Sequence, residues 1–416
     1  MNSRERLRTI ISGKPADRCG FWLGYPDKAT WPILHQYFGT TGEEELRVKL
    51  CDDFRWVAAW EYRDAMGRGL FHIPDKRSHG DPGPLANCDD IGQVNDLYDW
   101  PQAQNMIFTG TLQRLASVGP YYRASGPWTC FYHNVMDLYG MEKYMAFMYE
   151  RPEIVHAVTD RVCQFYYDAN ERFFPLAGDE ADAFFFGNDF GTQLDLICGP
   201  EQFDRFILPW FRRFTDQGHR FGKQVILHSC GAIHRVIDRL IDCGVNCLHP
   251  IQALARNMDA QTLARDFRGR IAFLGGVDTQ HLLVHGSPQD VRDEVQRLKD
   301  TLGPCLIISP SHEAIVPNVP PANIAARQKR QLAAKASLTN LHPAVSSRII
   351  MTTDHHAAAG ARPATVGGLL ALLLWSTTVA LGRSAIEQVG PFTAAAAIYG
   401  RLGCGPDRPR QPDWNC

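Results

Sequence analysis

The chain has 416 residues, of which 45% are hydrophobic and 21% charged, with a formal net charge of -2, so it carries enough apolar material for a large folded core. A near-neutral balance of this kind argues against a nucleic-acid binder, which would show a basic stripe or patch. Twelve cysteines are scattered from Cys19 to Cys416 instead of following a disulfide framework, and Met1-Asn-Ser-Arg-Glu-Arg6 is charged where a secretory leader would be apolar. A cytoplasmic protein with reduced thiols is therefore expected.

Ser3 is placed to cap a first helix with Leu7, Ile10 and Ile11 on one face, ending near Gly13. Cys19-Gly-Phe-Trp-Leu-Gly-Tyr25 has the apolar density of a strand. The stretch from about Trp31 to Pro101 is irregular and rich in Trp, Asp and Pro. It reads as an amino-terminal excursion, with Asp52-Asp-Phe-Arg-Trp56 as a structured turn of unassigned role.

From Tyr121 onward apolar runs alternate with helical stretches. The runs are Tyr121 to Ser125, Ala183 to Phe186, Val225 to Leu227, Val245 to Leu248, Ile271 to Leu274 and Leu306 to Ile308. Between them, Ile233, Val236, Ile237, Leu240 and Ile241 keep a helical period that stops at Gly244; Asp259 opens a helix closed by Gly269; and Ser287-Pro-Gln-Asp290 starts one that ends at Gly303. Such alternation predicts an α/β fold with a parallel sheet. A (β/α)8 TIM barrel is the first choice and an open doubly wound sheet the second.

A barrel places its chemistry at the carboxyl ends of its strands. Here those ends are polar: Gly187-Asn188-Asp189, His228-Ser-Cys230, His249-Pro-Ile-Gln252, Gly275-Gly-Val-Asp278-Thr-Gln280 and Ser309-Pro-Ser-His312-Glu313. On extended backbone residues i and i+2 share a side, so His228 and Cys230 can face one point and form half of a zinc site. His312, leaving a strand end at the same rim, is the best third ligand. Cys305 and Cys243 are poorer candidates: Cys305 begins its strand, far from the rim, and Cys243, which closes a helix, reads with Cys247 as a core thiol. His249 and Asp278 are further ligands, substrate contacts or loop hydrogen bonds. Three protein ligands leave an open position, the arrangement of a catalytic metal, where a bound water or thiol is acidified.

Met1-Asn-Ser-Arg-Glu-Arg6, Gly187-Asn-Asp-Phe-Gly-Thr-Gln193, His228-Ser-Cys-Gly231, Leu248-His-Pro-Ile-Gln252, Gly275-Gly-Val-Asp-Thr-Gln280, Ser309-Pro-Ser-His312 and Pro317-Asn-Val-Pro-Pro-Ala-Asn323 together resemble the uroporphyrinogen decarboxylase-like superfamily, and within it the cobalamin-linked methyltransferases. The resemblance spans residues 1–326. It implies a TIM barrel in which zinc, held by the His-x-Cys pair and a third ligand near the last strand, activates a thiol for a methyl group carried on a corrinoid protein. In that branch the third ligand is a cysteine after Pro-x, where this chain has His312. The decarboxylases share an arginine-rich amino-terminal stretch that grips substrate carboxylates, and nothing like it follows Cys19 to Pro26.

The expected function is thus zinc-dependent methyl transfer between a corrinoid-binding partner and a small methylated donor or thiol acceptor. His228, Cys230 and His312 would hold the metal, Asp189 and Asp278 would be catalytic, and Asn188, His249, Gln252 and Gln280 would contact substrate. The rivals are a carboxy-lyase, with Asp189 or Asp278 moving a proton, and a non-catalytic barrel that binds a corrinoid protein. Residues 327–416 read as an atypical tail. Its uncharged run over 363–382 suits a membrane span, a docked helix, an unfolded extension or the product of a shifted reading frame.

Overall fold

The computed structural model describes residues 1–73, 79–96 and 98–332. The expected tail beyond that point, with its apolar run over 363–382, lies outside the described residues, and the helix Pro321–Leu332 continues across position 326. Among the described residues no helix is long and apolar enough to cross a membrane.

Among the described residues ten strands form: β1 (Gly20–Phe21), β2 (Tyr25–Pro26), β3 (Phe54–Ala59), β4 (Tyr122–Pro127), β5 (Ala183–Gly187), β6 (Gln224–His228), β7 (Cys247–Ile251), β8 (Ala272–Val277), β9 (Leu306–Pro310) and β10 (Ala314–Ile315). Eight of them make one all-parallel sheet in the order β1-β9-β8-β7-β6-β5-β4-β3, while β2 and β10 pair separately. The six runs foreseen from Tyr121 onward are six of these strands, with ends shifted by up to three residues. The helix after Ser287 is Pro288–Leu302, opened by the expected capping box between Ser287 and Asp290. Asp259 caps Ala260–Phe267 through the N–H groups of Gln261 and Thr262.

Two local readings change. The first helix, Ser3–Ile11, is capped by Asn2, whose side chain accepts from the Glu5 N–H. Ser3 instead donates its hydroxyl to Asp53 Oδ1 at 2.8 Å. The stretch from Trp31 on is also more ordered than its composition suggests, because it holds the helices Thr30–Phe38 and Glu43–Lys49 and the sheet strand β3.

Asp52 and Asp53 have a definite task. The Asp53 N–H donates to Phe21 O at 2.9 Å, and the Asp53 carboxylate accepts the Phe21 N–H at 3.0 Å. Asp52 Oδ2 accepts the Leu23 N–H at 3.1 Å. These bonds tie the two edge strands, β1 and β3, together and curl the sheet into a barrel-like form. Both carboxylates are fully buried and lie in ion pairs, Asp53 with Arg6 and Arg18 and Asp52 with Arg47, as buried charges require.

The strand period of two divides the core. One apolar cluster, enclosed by the sheet, contains Trp22, Phe54, Tyr122, Ala124, Phe185, Ile226, Cys247, Leu274 and Ile307, with Leu7 and Ile10 of the first helix. A larger one, containing Phe184, Phe186, Val225, Leu227, Leu248, Phe273 and Ile308, packs beneath the helices. Cys247 and Cys305 are in the enclosed cluster and Cys243 in the outer one, so all three are core thiols. Ile226 and Cys247 face inward, so His228 and His249, each two residues further along, share the enclosed side at the carboxyl ends of β6 and β7.

Candidate metal and substrate site

Register brings the site together. His228 pairs with His249 across β6 and β7, and with Gly187 across β5 and β6. The side chains of His228 and His249 are buried, and their Nδ1 atoms lie 3.0 Å apart. The opposite nitrogen, His228 Nε2, lies 3.5 Å from Cys230 Sγ and 3.3 Å from Asp189 Oδ1. Asp189 Oδ1 also accepts the Cys230 N–H at 2.8 Å, which fixes the turn that presents the thiol. The next N–H, of Gly231, donates to Gln252 Oε1 at 2.7 Å.

Two groups of three have all their ligand atoms within 4.8 Å of one another: Asp189, His228 and Cys230; and His228, His249 and Glu313. His312, expected as the third ligand, is in neither group. Its Nδ1 accepts the Ala314 N–H at 3.2 Å and lies 3.6 Å from Glu313 Oε2. Glu313, one residue on, turns inward instead, with Oε2 3.8 Å from His228 Nδ1. That oxygen is buried and accepts no hydrogen bond from the described residues.

His228 is flanked by carboxylates on two sides. Burial disfavours its imidazolium, yet Glu313 and then Asp189 outweigh burial and raise its pKa above the ordinary histidine value. For Asp189 burial works against ionisation too, but the hydrogen bond and charge of His228 hold the carboxyl well below the usual range. His249 is pushed well below an ordinary histidine, first by burial and then by His228 and His312, so it is neutral. His133 supports the site from behind, accepting the Asp189 N–H on Nε2 at 3.2 Å.

Asn188, Asp278 and Gln252 bond backbone groups. Asn188 is buried with both ends of its amide engaged: Oδ1 accepts the Tyr132 N–H at 2.8 Å and Nδ2 donates to Thr129 O at 2.9 Å. Asp278 caps its own turn, accepting from the N–H groups of Gln280, His281 and Leu282 at 2.9–3.1 Å. Gln280 is exposed on that turn. Gln252, besides holding Gly231, receives Gln193 Nε2 at 3.2 Å.

An aromatic wall borders the site. Trp128 meets His228 edge-on at 5.6 Å between centroids, Trp56 and Trp60 each pack on Trp128, and Tyr25 packs on Trp56. Trp60 and Tyr25 are more than half exposed, so the wall runs from the surface down to the imidazole. Gly187 makes this possible, because a Cβ there would stand 2.4 Å from Trp128 Cζ2 and 2.9 Å from His228 Cβ. Glu313, His133 and Trp128 were not anticipated as site residues. Only Glu313 had a sequence signal, its place in the polar tip after β9.

The profile of the family described as Uroporphyrinogen decarboxylase (URO-D) matches residues 119–329, half of the chain. The chain belongs to the uroporphyrinogen decarboxylase family. The matched span runs from β4 to the last described helix and includes all five residues of the two candidate groups above. Among solved structures, a methyltransferase from Methanosarcina mazei superposes with a TM-score of 0.53, covering 80% of this chain and 98% of that one at 14% identity, a likeness of fold. No curated protein matches this member of the uroporphyrinogen decarboxylase family.

Proposed function

We propose that this protein is a zinc-dependent methyltransferase built on a (β/α)8 barrel and working with a corrinoid-binding protein. The observation that carries the reading is the grouping of His228 Nε2, Cys230 Sγ and Asp189 Oδ1 at the carboxyl end of the sheet. The donor types suit zinc. With Zn–S near ~2.3 Å and Zn–N or Zn–O near ~2.1 Å, the edges of a tetrahedron are about 3.4–3.6 Å. The two edges from His228 Nε2, 3.5 Å to sulfur and 3.3 Å to oxygen, are close to that size. Asp189 therefore takes the third place in preference to His312. Zinc there would supply Lewis acidity, lowering the pKa of a thiol at its open fourth position.

The chain's own groups orient that position. Asp189 fixes Cys230 through its N–H, His133 fixes Asp189, and His249 sets the tilt of the His228 ring. Trp128, Trp60 and Trp56 supply an apolar flank that shields the reacting atoms from water on one side. Porphyrinogen decarboxylation fits less well, because it requires cations for acidic arms. Arg6, Arg18, Arg47 and Arg55 of the amino-terminal part are already paired with Asp17 and Asp53, Asp53, Asp52, and Glu44.

The test is zinc content together with transfer of a methyl group from methylcobalamin to a small thiol. Bound zinc and turnover in the wild type, both lost in Cys230→Ala, are expected. Wild-type protein incubated with zinc that retains no metal would overturn the reading.

A further inference from the structure

The two faces of His228 are not equivalent, and the reading above uses only Nε2. On the Nδ1 face stand His249 Nδ1 at 3.0 Å and Glu313 Oε2 at 3.8 Å, with all three ligand atoms within 4.8 Å. These distances bracket the ~3.4 Å edge of a tetrahedral N2O site with bonds near ~2.1 Å. A second observation points to a missing partner there. Glu313 Oε2 is buried without a hydrogen bond from the described residues, and His249, whose side chain has no exposure, leaves Nε2 without one. A buried carboxylate oxygen that accepts nothing is destabilising, and a cation would relieve that cost.

We infer that the chain has a second divalent-cation position, formed by His228 Nδ1, a ring nitrogen of His249 and Glu313 Oε2. Two imidazoles and one carboxylate suit zinc, cobalt, nickel or iron in the divalent state, and this position contains no thiolate. It shares His228 with the methyltransferase reading but none of that reading's other ligands. With both positions filled, His228 is a bridging imidazolate. An imidazolate forms only as His228 gives up its ring N–H to solvent, so binding tightens as pH rises.

The experiment uses the full chain stripped of metal and titrated with Co2+ alone, read by metal content and by the near-ultraviolet thiolate-to-cobalt charge-transfer band. The wild type is expected to bind two equivalents, one with the band. Cys230→Ser is expected to lose the band and keep one equivalent. His249→Asn combined with Glu313→Gln is expected to keep the band and lose one equivalent. Circular dichroism and the thermal midpoint of each variant establish folding, and Cys230→Ala replaces Cys230→Ser if the latter is misfolded. One equivalent with the band in the wild type, and none in folded Cys230→Ser, would overturn the second position and leave the methyltransferase reading standing. One equivalent without the band would support the second position and overturn the reading of Cys230 as a ligand.

Discussion

His228 and His249 meet Nδ1 to Nδ1 at 3.0 Å because they occupy paired positions on adjacent parallel strands and both face the enclosed side of the sheet. One proton fits between them. His249 is held neutral by burial and by its neighbours, so in the absence of a cation His228 is the donor. One imidazole thus orients the other, the task a carboxylate or carbonyl usually performs for a metal-binding histidine.

Asp189→Asn keeps an acceptor for the Cys230 N–H but removes the negative charge beside His228. Zinc affinity is expected to fall by at least about tenfold with the fold intact. Competition against a chromophoric chelator, with circular dichroism as the control, checks this. Unchanged affinity would remove Asp189 from the ligand set.

Gly187→Ala forces a methyl group against the Trp128 ring and the His228 Cβ. Overpacking of this kind costs about 1–3 kcal/mol, and here it also displaces the His228 imidazole of the candidate site. A lower denaturation midpoint accompanied by weaker cation binding is expected. A midpoint shift without a change in binding would mean that Trp128 yields and His228 does not.

Asn188→Ala leaves the Tyr132 N–H and the Thr129 carbonyl without the partner they have now. Loss of about 2–4 kcal/mol is expected from two buried backbone groups, measured by urea unfolding. Residual enzyme that is still folded should retain its substrate affinity, which separates a scaffold role from substrate contact.

Asp17 is held well below the usual carboxylate range, chiefly by its hydrogen bond from Arg6. A carboxyl whose folded-state pKa is depressed adds stability that is present above the unfolded value and is lost as pH falls towards the folded one. Thermal midpoints should therefore drop between about pH 5 and pH 2, and Asp17→Asn should flatten that slope. Equal slopes would assign the acid sensitivity to other carboxylates.

Arg327 is completely buried and donates one hydrogen bond, from Nη2 to Leu23 O at 3.0 Å, while Nε and Nη1 have no hydrogen-bond partner among the described residues. Burial pushes its pKa down to about 9 against the weaker opposing pull of Asp52. Arg327→Met is expected to be neutral or to stabilise by up to about 2 kcal/mol. Strong destabilisation would show that the guanidinium holds the last described helix to the chain after β1.

Much of the fold and part of the site were legible in the sequence. Val225-Ile-Leu227 followed by His228-Ser-Cys230 announces a strand with two candidate ligand side chains on one side, and the structure places His228 Nε2 and Cys230 Sγ 3.5 Å apart. Strand β3 was hidden because Asp52 and Asp53 lead into it and Arg55 interrupts its apolar pattern; these charges are balanced by ion pairs, Asp53 with Arg6 and Arg18, Asp52 with Arg47 and Arg55 with Glu44. His312 and Glu313 could not be ranked from sequence, since alternation fails in an irregular tip and neighbouring side chains there take whichever direction the turn dictates. Asn188 and Asp278 sit at the rim as foreseen, but short polar side chains at strand ends bond nearby backbone as readily as they face a ligand.

The bonding of β1 to β9 on one side and to Asp53 on the other bears on biosynthesis. Gly20 finds Ile307 only after nearly all of the described chain has left the ribosome, so the amino-terminal strand must wait with one edge unpaired. Closure comes late, through contacts of long sequence separation, and such topologies fold slowly and expose sheet edges to aggregation meanwhile. Glu313 emerges later still, so the Nδ1 face of His228 can be completed only once synthesis of the barrel-like domain is almost finished.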